Sequence, residues 1–93
     1  VGQLKDVNDH KSRVTVNIFD QEYIIKGTDP PQHLERLAVY LDKKMRQIGQ
    51  KNPNLTALKV AVLAALHITD ELSKLQEDYD AIIRLIEEEK KKG

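Results

Sequence analysis

Hydrophobic and polar residues alternate between Arg13 and Phe19: Val14, Val16 and Ile18 are separated by Thr15 and Asn17. A period of two marks a strand with one buried face. A second short apolar segment, Glu22 to Lys26, follows Asp20 and Gln21. Placing the turn at Asp20 and Gln21 sets Ile18 opposite Tyr23 and Val16 opposite Ile25. The apolar side chains of both strands then share one face, with Phe19 and Ile24 on the other. This turn lacks the glycine that a tight primed turn favours. A lone two-stranded hairpin is marginal in water, so it must rest on another element.

Beyond Gly27 the period changes. Asp29 as N-cap, Pro30 in the first turn and Gln32 three residues after the cap predict a helix start. Leu34, Leu37, Ala38, Leu41, Met45 and Ile48 then recur every three or four residues, forming one apolar stripe, with Gly49 predicted to end the helix. Tyr40 falls off that stripe, as Phe19 and Ile24 fall off the hairpin's core face. After the loop "QKNPN" a helical pattern runs from Leu55 to Lys92 with no Gly or Pro, a rod of roughly 50 Å. The organisation predicted is a flexible polar leader over 1–12, a small head over 13–52 and a long helix over 55–92. The fold class is α+β, a β-hairpin and short helix followed by a protruding coiled-coil helix.

The long helix carries more apolar surface than so small a head covers. Leu58, Ala61, Ala65, Ile68, Leu72, Leu75, Tyr79, Ile82 and Ile86 alternate in gaps of three and four over four heptads, the spacing of a coiled-coil seam. Ala61 and Ala65 would let helices approach closely near the head. Val62, Leu63, Leu66 and Ile83 widen the stripe, which suits more than two helices or a pair that also covers the heads. The partner this predicts is another copy of the chain, as a homodimer or a dimer of dimers.

Composition narrows the function. Fifteen basic residues balance fifteen acidic ones, so no overall charge draws the chain to nucleic acid or to an anionic membrane. No apolar run is long enough to cross a bilayer. With no cysteine there is no disulfide, thiol nucleophile or cysteine-ligated metal, in keeping with a reducing cytoplasm. His67, Asp70 and Glu71 share a helix face but lack the third ligand and second histidine of a metal site; the plainer reading is an imidazole with a local carboxylate partner. Thr28, Thr56, Ser12 and Ser73 have no His/Asp pattern to activate them. No glycine-rich loop cradles a phosphate. The chain reads as a non-enzyme without cofactor.

Charge is uneven locally. Between Pro30 and Asn54 five basic residues face two acidic ones, whereas the rod from Leu55 onward has six basic and eight acidic. Arg13, Lys26, Arg36, Lys43, Lys44 and Arg46 are therefore the candidates for docking an acidic protein. Two such heads on one rod would make a bivalent linker.

Several segments carry a family likeness. They are the strand Val14, Val16, Ile18; then Tyr23 and Ile25; then Leu34, Leu37, Ala38, Tyr40, Leu41, Asp42, Lys44 and Met45; and finally Leu63, Ala64, Ala65, Leu66, Ile68, Asp70, Glu71 and Leu72. Together they resemble the ZapA family of bacterial division-ring proteins, from about Arg13 to the end of the rod. Asp20 departs from the glycine usual at that hairpin turn. The resemblance implies an α/β head, a long coiled coil and assembly into dimers and tetramers. It also implies non-enzymatic binding and cross-linking of filaments of the tubulin-like GTPase FtsZ at mid-cell in the cytoplasm. The alternative is a generic coiled-coil adaptor for another acidic protein.

Overall fold

A computed structural model describes residues 12–92. Strand β1 spans Ser12–Ile18 and strand β2 spans Gln21–Gly27; helix α1 spans Pro31–Lys51 and helix α2 spans Ala57–Lys92. The strands form one antiparallel pair. The leader expected over 1–12 lies outside the described residues except for Ser12, which opens β1.

The hairpin keeps the expected faces but not the expected register. Val16 pairs with Tyr23, Val14 with Ile25 and Ile18 with Gln21. The loop is therefore Phe19–Asp20, one residue earlier than the pattern placed it. Both loop residues have positive φ, 52° and 67°, as a type I′ turn demands to match strand twist. Asp tolerates this conformation better than Phe does. Two contacts hold Phe19 there: its N–H donates to Asp42 Oδ1 at 2.7 Å, and its ring lies against Gly49. Phe19 thus does not face away from the core. It is half-buried against it.

Helix α1 begins one residue later than the Asp29 cap implied. Pro30 is the N-cap, extended as a residue before proline must be, with no side-chain capping bond. Its carbonyl accepts from the N–H groups of His33 and Leu34. Pro31 fills the first helical position, where a missing N–H costs nothing. Gly49 does not end the helix. The helix continues to Lys51, where the Asn52 side chain and N–H both donate to the Ile48 carbonyl. Thr56 then caps α2, its hydroxyl accepting from Lys59 N–H at 3.2 Å.

The core has two parts. Val14 and Val16 of the hairpin pack with Ala38. Met45 and Ile48 pack with Val60 and Ala64 of α2. Ile18 touches both, which is why the hairpin, α1 and the root of α2 form one head. Leu37 of the predicted stripe is not buried; it lies exposed beside the buried Ala38. Among the described residues no helix is long and apolar enough to cross a membrane.

Candidate functional site

Burial along α2 changes abruptly. Val60 and Ala64 are 1% and 0% exposed. Continuing that inward strip at helical spacing gives His67, Glu71, Lys74 and Asp78, all exposed. The strip turns polar where the head's apolar surface ends. Glu71 makes the last link back to the head, accepting from the Tyr40 hydroxyl and from Lys44 Nζ. These bonds hold Glu71 below the usual carboxylate range, the lysine contributing most. The same carboxylate raises Lys44 and Tyr40. Lys44 Nζ also stands 5.5 Å from the Tyr40 ring centre, within cation–π range.

The heptad stripe lies one position around the helix from that inward strip. Leu58, Ala65, Leu72, Leu75, Tyr79, Ile82 and Ile86 are exposed, Ala61 and Ile68 half-buried. Leu72 and Leu75 show 63% and 66% of their surface. An apolar strip over four heptads is far more than a soluble monomer leaves bare, and its spacing fits a partner helix. At the head end it runs into a groove of about 540 Å³ lined by Phe19, Tyr23, Ile24, Met45, Leu58 and Ala61 among others. Strip and groove therefore form one continuous apolar surface. The pattern gave the strip and set Phe19 and Ile24 off the core face, where cover from another subunit is expected; that they line one groove with Met45, Leu58 and Ala61 needed the fold.

The six basic candidates divide. Arg46 Nη2 bonds Asp20 at 2.7 Å and its Nε bonds Asp42 at 2.9 Å. This pins the hairpin loop to α1 and raises the guanidinium, with Asp20 the first cause. The Phe19 N–H, with Arg46 second, draws Asp42 below its usual value. Lys44 is held by Glu71. Arg13, Lys26, Arg36 and Lys43 form no ion pair among the described residues. The Asp42–Arg46 spacing of four was visible in the sequence and would have flagged that pair.

The His67 cluster is also redistributed. Asp70 pairs with Lys74 at 2.9 Å and Glu71 with Lys44 and Tyr40, so neither carboxylate hydrogen-bonds the imidazole. Among the described residues no three histidine or acidic side chains gather as a metal site does.

Comparison with known proteins places this architecture. The family described as Cell division protein ZapA matches residues 14–92. A Cell division protein ZapA of Geobacillus sp. (strain WCH70) is 44% identical over 80 residues, 86% of this chain and 92% of the relative. That of Halalkalibacterium halodurans is 36% identical over 90 residues, 97% of this chain and 94% of the relative. Among solved structures, a ZapA mutant dimer from Geobacillus stearothermophilus superposes with a TM-score of 0.68 at 35% identity, covering 92% of this chain and 99% of its own.

Proposed function

The chain belongs to the ZapA family of cell division proteins, and within it we propose a non-enzymatic cross-linker of FtsZ filaments, acting in the cytoplasm at the division site. The bare heptad stripe of α2 carries this reading. It is paired by a second copy, in a homodimer that associates further into a dimer of dimers. Leu58, Ala61, Ala65, Ile68, Leu72, Leu75, Tyr79, Ile82 and Ile86 form the seam, and the head groove continues it. A mutant of a related protein is described as a dimer, which supports the pairing.

Each head docks on a filament and the rod holds two or more heads together. Bivalency raises weak single-head binding by about 10²–10⁴ when the geometry allows both heads to engage. Nothing in this role needs bond making.

The test is co-pelleting with GTP-assembled FtsZ, with filament bundles counted by electron microscopy. Wild type pellets with the filaments and bundles them. A Leu72→Asp variant with a folded head bundles nothing. Absence of wild-type binding would reject the FtsZ reading and leave the adaptor for another acidic protein in its place.

A further inference from the structure

The outer side of α1 carries a surface that neither the core nor the seam uses. Gln32, Glu35, Arg36, Val39, Tyr40 and Lys43 line one shallow depression there. Val39 is 67% exposed, more than any other large apolar side chain of the head's hairpin and α1. A β-branched residue on a solvated helix face adds nothing to helix propensity. Arg36 and Lys43 are seven residues apart, so they share this face about 10 Å from each other along the axis, with Val39 between them.

Of the four basic candidates left unpaired among the described residues, Arg36 and Lys43 lie on this face of α1, while Arg13 and Lys26 stand opposite each other on the hairpin. Lys44 and Arg46 are held by Glu71, Asp42 and Asp20. Arg36 and Lys43 have no such partner among the described residues, and Glu35 is the one acidic group in the depression.

We infer that this face of α1 is where the head grips its partner, and that it takes an acidic polypeptide segment presenting an apolar side chain between two carboxylates. The carboxylates meet Arg36 and Lys43, and the apolar group covers Val39 and the Tyr40 ring. Cations at the rim with an apolar centre are the anatomy of a protein-binding patch. A phosphodiester backbone fits it less well, since Glu35 repels it and Val39 offers it nothing. The inference rests on the filament-binding function and assigns that function its surface.

Two matched charge reversals test it in full-length protein, read as the apparent Kd for GTP-assembled FtsZ by co-pelleting. Arg36→Glu/Lys43→Glu weakens binding by about tenfold or more, and Val39→Ser weakens it by about fivefold. Arg84→Glu/Lys91→Glu has the same spacing and charge change on the rod, at positions away from the seam, and binds as wild type does. Light scattering and thermal melting confirm that all variants keep the wild-type mass and fold. Wild-type binding by the α1 variants overturns the inference alone, as does equal weakening by the rod control. Failure of wild type itself to bind rejects the filament-binding function, and this inference with it.

Discussion

Both ends of α2 carry apolar side chains, and burial separates them. At the root, Val60 and Ala64 are sealed beneath Met45 and Ile48. From Leu72 onward, leucines, isoleucines and a tyrosine stand in solvent. The difference is one of angle as well as distance from the head. The root's inward strip is apolar and becomes His67, Glu71, Lys74 and Asp78, while the strip beside it stays apolar to Ile86. A helix can thus fold one face into its own head and offer the next face to another chain. Apolar content does not separate core from exposed strip. The strip to which a residue belongs does.

The largest expected effect comes from placing the same charge on each strip. Val60→Asp buries a carboxylate without a partner in the head and costs at least about 4 kcal/mol. The head unfolds, seen as loss of the cooperative melt by circular dichroism. Leu72→Asp leaves the head's packing untouched and sinks the mass by light scattering to that of a monomer. An unchanged oligomer would remove Leu72 from the seam. A head lost in both variants would mean that the two strips do not act separately.

What was readable in the sequence follows the range of the interactions. The strand faces, the long helix and its heptads are set by periodicities of two and three-to-four, so they could be read residue by residue. The hairpin register could not. Phe19 takes a left-handed conformation that its own side chain disfavours, and the groups holding it, Asp42 and Gly49, are remote in sequence. The same distance hid the purpose of Gly49, which looked like a helix terminator, and of Glu71, which looked like a neighbour of His67. Leu37 failed for the opposite reason: it fits the period, but it is exposed and stands outside the cluster that Ala38 forms with Val14 and Val16. The basic residues were visible as a cluster. Which of them are already held by carboxylates needed the fold.

A smaller effect separates the polar fastenings from the apolar ones. Asp42 and Glu71 both sit below their usual pKa in the folded head. A depressed carboxylate stabilises the fold above its unfolded pKa and loses that contribution as pH falls through the folded value. Head stability is therefore fully supported by these groups at neutral pH and declines below about pH 4. Asp42→Asn removes its share, so its melting temperature is lower than wild type at pH 7. The gap starts to narrow as the pH falls below about 4 and goes on narrowing as Asp42 is protonated in the folded head. A gap that stays constant would assign Asp42's effect to shape and not to charge. Tyr40→Phe is milder, since Lys44 still holds Glu71.

The smallest effect is expected at Gly49, and it bears on how tightly the head is packed beside the loosely exposed rod. A Cβ there would stand 3.2 Å from the tip of the Phe19 ring, closer than ordinary contact. Against this, alanine is the better helix former, by about 1 kcal/mol in a helix interior and less in the last turn, where Gly49 lies. Phe19 can swing its ring only slightly, because its N–H is fixed on Asp42 and its backbone is left-handed. The two effects nearly cancel, and Gly49→Ala changes stability by less than about 1 kcal/mol in urea unfolding. Gly49→Val cannot be accommodated by so small a movement and costs about 1–3 kcal/mol. Pairing each with Phe19→Leu isolates the contact: the valine penalty shrinks when the ring is gone. If it does not shrink, Gly49 is small for a reason other than Phe19, and the seat of the turn is looser than the core beneath it.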